Sequence, residues 1–215
     1  MGIFLRRGPA PSGSIRIGTF PLLTVLKLKE NGVPADFYIA KHDYEPVLNG
    51  AGRTLILRKD CYDRRVFRSG SNIFAGSLID SWLNSDYVQL LDENIRNAIG
   101  QTTFYYTPGE SQKVQPLVRS AFLLSLTEFG ETDTYANVEG TALDESVCSA
   151  IAVAHAAGRA VAQWTRTPTR FGSSTVFGLT SSGAKFEYGS YTGNVYSRPV
   201  FTLPSDFIVT DDMLA

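Results

Sequence analysis

At 215 residues with 43% hydrophobic content, the chain can bury a substantial core and needs neither disulfides nor metal to fold. Twenty Lys and Arg against 21 Asp and Glu leave a formal charge of −1, which argues against a nucleic-acid binder with a basic excess on one face. No apolar run approaches the roughly 18 residues of a membrane span.

The start, Met1-Gly2-Ile3-Phe4-Leu5-Arg6-Arg7, lacks the long apolar segment of a signal peptide. Arg6 stands where myristoylation prefers Ser or Thr, so no lipid is expected. The chain carries no Asn-x-Ser/Thr sequon, and the expected product is soluble and made in a cytoplasm. Gly8-Pro9-Ala10-Pro11-Ser12-Gly13-Ser14 is a flexible linker by composition. Residues 1–13 are therefore expected to form an arm ahead of a domain spanning 14–215. That arm reads either as a frayed terminus or as a docking segment for a partner subunit.

Strand-like runs follow at 14–20 and 22–28, then at 36–40 and 53–57. The last two flank a turn-rich loop at 46–52 and read as a β-hairpin with a long tip. The densest basic stretch, Arg58-Lys59-Asp60-Cys61-Tyr62-Asp63-Arg64-Arg65-Val66-Phe67-Arg68, is diluted by two aspartates and reads as a solvated loop and strand end. Two helices come next. Ser77 is placed to cap the first, with Leu78, Ile79, Trp82 and Leu83 on one face. Asp92 is placed to cap the second, with Leu91, Ile95, Ala98 and Ile99 inward and Gly100 as the stop.

Residues 102–107 return to strand chemistry, and Ala121-Phe122-Leu123-Leu124 reads as a short buried strand. Ser125 and Glu128 have capping-box spacing. Residues 142–157 read as partly helical, and from Gly158 the pattern is β to the end: 160–165, 175–180, 185–188 and 195–203. The turn Ser181-Ser182-Gly183 joins the middle two as a hairpin. Strands, two helices and strands again give an α+β fold class.

Motifs for catalysis are missing. The sequence has no Gly-x-Ser-x-Gly elbow, Walker loop, dinucleotide glycine fingerprint or His-Glu-x-x-His. His42 and His155 are the only histidines and share no spacing; His42 reads as a hydrogen-bonded strand-end residue. Glu128, Glu131 and Asp133 form an acidic group that has the oxygens for Ca²⁺, but it also reads as a capping Glu followed by a solvated loop. Cys61 and Cys148 are widely separated and are expected as two buried thiols. No cofactor, no metal and no enzyme activity are expected.

The last quarter is the most informative. Two apolar, strand-like frames, one at Trp164-Thr165-Arg166-Thr167-Pro168 and one at Ser197-Arg198-Pro199-Val200-Phe201, enclose residues rich in Ser, Gly and Tyr. Tyr supplies amphipathic contact area and Ser, Gly and Asn adaptable hydrogen bonding, the chemistry of a paratope. The expected ligand-binding residues are Thr167, Arg170, Phe171, Ser174, Tyr188, Tyr191, Asn194 and Tyr196. The expected structural residues are Trp82, Glu128, Trp164, Arg166 and Arg198, with Arg166 pairing a buried carboxylate, Glu128 first among the candidates.

The order Asp80-Ser81-Trp82-Leu83-Asn84, Phe122-Leu123-Leu124-Ser125 with Glu128, and then the two frames just given, resembles a domain family of gut-bacterial genomes and their prophages. That family is similar to the C-type-lectin-like fold, in the branch shared by formylglycine-generating-enzyme-like domains and the variable proteins of diversity-generating retroelements. The resemblance covers residues 30–205. It implies a mixed β core with two helices and a ligand surface near the carboxyl end. For phage members it also implies a place on the virion and binding to a host-surface protein or glycan. The sequence departs from its relatives in two ways. Residues 149–215 contain no Cys, which removes the formylglycine-generating activity. The Glu-Pro-Asn, Gln-Pro-Asp and Trp-Asn-Asp signatures of calcium-dependent lectins are also missing.

The expectation is thus a non-catalytic virion protein that binds a host-surface ligand, or a structural virion subunit that uses the same patch for assembly. The arm would engage other virion proteins. A homo-oligomer is expected because adhesins work through multivalency. Nucleic acid and membrane insertion are not expected.

Overall fold

The chain begins by giving up a strand that its composition promises. Only β1 (Ile15–Arg16) is extended, and Ile17–Thr19 turns into a 3₁₀ segment that buries Ile17. Gly18 lies so close to Ser205 that a Cβ there would sit 2.8 Å from the Ser205 side chain and 2.9 Å from its carbonyl oxygen. A straight strand cannot make that approach. The computed structural model describes residues 15–109, 111 and 113–214; the expected arm at 1–13 lies outside them.

Strands β2 (Val25–Glu30) and β3 (Val33–Lys41) form a tight hairpin through Asn31 and Gly32, with φ of 51° and 76°. An Asn-Gly pair with both φ positive is the two-residue turn that matches strand twist. A short helix, α1 (Pro46–Asn49), fills the loop before β4 (Arg53–Arg58), which pairs antiparallel with β3. The hairpin expected between 36–40 and 53–57 is therefore present, inside a larger meander.

Helix α2 (Leu78–Trp82) starts where the Ser77 Oγ accepts the Asp80 N–H at 3.0 Å. It continues through a π-helical turn, Leu83–Tyr87, into α3 (Val88–Leu90). Helix α4 (Glu93–Ala98) follows. Asp92 occupies its N-cap without a side-chain bond; the helix ends at Ala98 with Ile99 as its C-cap, and Gly100 follows directly as the expected stop. Strands β5 (Thr102–Tyr106) and β6 (Gln115–Arg119) pair as a hairpin, and β7 (Ala121–Phe122) is a two-residue strand. Helix α5 (Glu145–Ile151), capped by Asp144, precedes the small hairpin β8 (Ala154–Ala156) and β9 (Arg159–Val161).

The carboxyl end supplies β10 (Gln163–Pro168), β11 (Thr175–Leu179), β12 (Lys185–Gly189), β13 (Val200–Pro204) and β14 (Ile208–Val209). Strands β10, β11 and β12 form a three-stranded antiparallel sheet with β12 at its edge, while β14 pairs with β1. Strand β13 inserts between β4 and β7, completing a five-stranded sheet of order β2-β3-β4-β13-β7. Val200, Phe201, Thr202 and Leu203 are all buried, since both faces of that central strand are covered.

The architecture is α+β, several small antiparallel sheets with short helices between them. Aromatic rings fill the interior: Phe104 stacks on Phe122 at 4.4 Å and Phe37 meets Phe201 at 5.7 Å. Among the described residues no helix is long and apolar enough to cross a membrane.

Candidate functional site

Strand β10 is buried along its whole length and carries the frame of the carboxyl end. The Trp164 Nε1–H donates to the Arg65 carbonyl at 2.8 Å, and its ring lies 5.5 Å from Phe67 and edge-on to Tyr188 at 5.8 Å. Two residues on, Arg166 is fully buried between Phe104 and Phe122. Its Nη1 donates to Glu128 Oε2 at 2.6 Å and to the Leu123 carbonyl at 2.7 Å, and its Nε to the Tyr105 carbonyl at 2.9 Å. Burial alone would lower the Arg166 pKa. Glu128 beside it, with Tyr44 and Glu139 further off, holds it above its ordinary value.

Glu128 is saturated with donors. The Tyr44 hydroxyl donates to its Oε1 at 2.5 Å and the Ser125 N–H to its Oε2 at 2.7 Å. The Glu128 N–H in turn donates to the Ser125 Oγ at 3.1 Å. That reciprocal pair is a capping box, yet it closes an isolated turn rather than a helix. Burial, reinforced by Glu128, raises the Tyr44 pKa well above the ordinary phenol value, so Tyr44 stays a donor.

Two further glutamates, unmarked by any sequence signal, join this interior. Glu139 is fully buried, with Oε1 accepting the Thr107 N–H at 2.5 Å and Oε2 the Thr167 hydroxyl at 2.7 Å. Burial raises its carboxyl above the ordinary range, against the pull of Arg166. Glu45, in a left-handed conformation at φ 45°, accepts the Thr141 N–H at 2.8 Å. Gly140 allows the approach: a Cβ there would lie 2.8 Å from Glu45 Oε1 and 3.6 Å from Glu128 Oε1.

The other structural residues also lie inside. Trp82 packs at a tilt against Tyr62 and Tyr87, ring centroids 5.3 Å apart in both pairs, and carries the Arg65 guanidinium 3.6 Å above its ring. Arg198 is buried and bound by neutral acceptors instead of a carboxylate. It donates to the Lys59, Ile151 and Arg58 carbonyls at 2.5, 2.7 and 2.8 Å, and burial lowers its pKa.

The expected contact residues divide. Thr167 is not at the surface: it is fully buried, donating to Glu139 and accepting the Leu126 N–H at 2.9 Å. Tyr188 is not a free side chain either. It is half-buried, and its ring lies across Gly178, where a Cβ would meet it at 3.0 Å. Alternation along β12 sends Tyr188 to the Trp164 side of the sheet. Ser174 is half-buried, and its carbonyl accepts the Ser190 N–H at 2.7 Å. Arg170 is half-buried too, its guanidinium donating to the Thr134 carbonyl.

Phe171, Tyr191 and Asn194 stand exposed, the first two at 70% and 69%. The Phe171 ring meets Tyr135 edge-on at 4.9 Å. Tyr196 is half-buried, running between β10 and Arg64; its N–H donates to the Ala162 carbonyl at 2.9 Å, and its ring lies 5.7 Å below the Arg64 guanidinium.

These loops are tied down from beneath. The buried Asn72 amide donates to the carbonyls of Thr169, Gly172 and Thr175 at 3.0–3.1 Å. The Ser190 N–H donates to the Ser174 carbonyl and the Arg68 N–H to the Ser190 carbonyl at 3.0 Å. The segments around 68–72, 170–175 and 190–196 are thus stitched side by side.

Neither histidine nor the acidic group assembles a centre. The His42 ring is held by the Thr54 hydroxyl at 3.1 Å and the Phe20 carbonyl at 2.9 Å. Glu128 points inward, while Asp133 pairs with Lys185 at 3.1 Å. Among the described residues no group of three His, Cys, Asp or Glu side chains is placed to hold a metal ion. Cys61 and Cys148 are free thiols, the first buried and the second only half-buried.

The molecule is thus an α+β protein whose buried ionic frame carries a set of pinned surface loops. Residues 51–205 match a family model described as "Domain of unknown function (DUF6273)", and the chain belongs to that family. No curated protein and no solved structure matches it.

Proposed function

We propose that the chain is a non-catalytic binding protein of a phage or prophage particle, with a C-type-lectin-like fold, that engages a host-surface ligand through its carboxyl-end loops. The observation that carries this reading is the pair of exposed rings, Phe171 and Tyr191, on loops fixed by Asn72 and by the Ser174–Ser190–Arg68 backbone bonds. Aromatic groups held in place before contact lose little conformational entropy on binding. The finer fold reading and the virion setting rest on the order of short motifs at 80–84, 122–128, 164–168 and 197–201.

Contact would run over Phe171, Tyr191 and Asn194, with Arg170 and Tyr196 at the margin. Truncating a hot-spot ring costs about 2 kcal/mol or more, which is roughly thirtyfold in Kd. Phe171→Ala with Tyr191→Ala should therefore weaken binding of the labelled protein to intact source bacteria by at least that factor. Folding stability should move by no more than about 0.5 kcal/mol, as for exposed sites. Unchanged cell binding by the double variant would sink the proposal.

A second reading, a structural virion subunit, is favoured by one observation. Strand β12 is a sheet edge carrying the exposed Phe186, and such an edge can accept a strand from a neighbour. Concentration-dependent assembly lost on Phe186→Lys would favour it.

A further inference from the structure

The basic stretch at 64–68, which in sequence reads as a solvated loop, lies antiparallel against the aromatic loop at 190–196. The Arg65 N–H donates to the Val195 carbonyl at 3.1 Å, the Arg68 N–H to the Ser190 carbonyl at 3.0 Å, and Arg64 bridges Tyr196. Arg65 is neutralised by Asp63 at 2.8 Å and spread over Trp82. Arg64 and Arg68 differ: among the described residues neither has a carboxylate within 4.0 Å. Arg64 is exposed and stacked on Tyr196, and Arg68 is half-buried with Nη1 on the Ala75 carbonyl at 3.2 Å. Beside Arg64 opens a depression of about 440 Å³ whose lining includes Arg64, Arg65, Leu78, Ser81, Trp82 and Asp86.

We infer that this face, Arg64 and Arg68 flanked by Tyr191 and Tyr196, takes a carboxylate-bearing segment of a protein partner. The inference rests on the reading of the 170–196 loops as a contact surface and adds what that surface selects. A guanidinium fork matches a carboxylate with two parallel hydrogen bonds. Stacking on Tyr196 fixes the Arg64 fork before contact. Tyr and Arg together are the side chains enriched at protein interfaces and among their hot spots. A nucleic-acid partner would need a long track of phosphate contacts. Here two unmatched arginines sit on a chain with a net charge of −1.

The test uses the full chain on immobilised poly-L-glutamate, with heparin and single-stranded DNA in parallel. The parent protein is expected to be retained best by polyglutamate and released as salt screens the contact. Arg64→Gln with Arg68→Gln should weaken retention by about tenfold or more, because a charge-assisted bond is worth about 1.5 kcal/mol or more. Should the double variant unfold, Arg64→Gln alone carries the test, since that side chain is exposed. Equal retention of parent and variant, or a preference for heparin or DNA, overturns the inference. Cell binding separates it from the reading it rests on. If the arginine variants bind cells fully while Phe171→Ala with Tyr191→Ala does not, the contact surface stands and its acid selectivity falls. If Phe171→Ala with Tyr191→Ala also binds fully, the surface itself falls.

Discussion

Replacing Arg166 with methionine tests the buried frame directly. Methionine is close in length and fills the slot between Phe104 and Phe122 flexibly, so the main loss is electrostatic. Removing one partner of a buried ion pair costs about 3–5 kcal/mol. The Leu123 and Tyr105 carbonyls, at 2.7 and 2.9 Å from the guanidinium, add about 1 kcal/mol each if they stay dry. Glu128 keeps the Tyr44 and Ser125 donors, which offsets part of the loss, so the expected total is about 5 kcal/mol. In a chain of this size each kcal/mol moves Tm by about 2–4 °C, which gives a fall of about 10–20 °C. Urea unfolding followed by tryptophan fluorescence should show the midpoint falling at unchanged m. Adding Glu128→Gln should cost less than the sum of the two single changes, because the carboxylate is no longer orphaned. A loss below about 1 kcal/mol, or strict additivity, would refute the argument.

Three further outcomes are expected. Burial holds the Glu139 carboxyl above its ordinary value of 4.5, so the folded chain keeps that proton longer than the unfolded one. The stability Glu139 contributes is fully present below 4.5 and is lost as pH rises through the folded value. Glu139→Gln should flatten that decline in urea titrations run upward from pH 4.5, and an unchanged slope would contradict it. Gly178→Ala would bring a methyl group within 2.6 Å of the Gln163 carbonyl and 3.0 Å of the Tyr188 ring. It should destabilise by about 1–3 kcal/mol and change the near-ultraviolet circular dichroism of the Tyr188–Trp164 contact; a neutral result would mean that Tyr188 does not lie on the sheet. Burial pushes the Cys61 thiol up to about 12, so peptide mapping after iodoacetamide treatment of the folded protein should find Cys61 unmodified.

Much of the secondary structure was legible where local chemistry dominates. The Ser77 cap and the Ser125–Glu128 box follow from side chains that bond within a few residues, and the strands at β4, β5, β11 and β12 from their runs of β-branched and apolar residues. The β2–β3 hairpin was not among the expected elements, although its Asn31-Gly32 turn is a strong local hairpin signal; the runs at 22–28 and 36–40 stop short of it and read as separate strands. Asp92 shows the limit: a capping residue in the right place makes no capping bond.

The amino-acid sequence determined the α+β composition, the apolar frames and the pairing of Arg166 with a carboxylate, Glu128 being the acid within a capping-box turn of the neighbouring segment; Arg198, equally buried, is held by neutral acceptors alone. It did not determine which polar residues face water. Thr167 and Tyr188 look like contact groups in the chain and turn inward in the fold: both faces of β10 are covered, which buries Thr167, and register along β12 sends Tyr188 to the Trp164 side. Tertiary structure alone brought Glu45, Glu139 and Tyr44 to the Arg166 pair and set Arg64 and Arg68 beside the 190–196 loop. Those contacts join segments 28 to more than 120 residues apart, and no local signal in a chain encodes a distance of that kind.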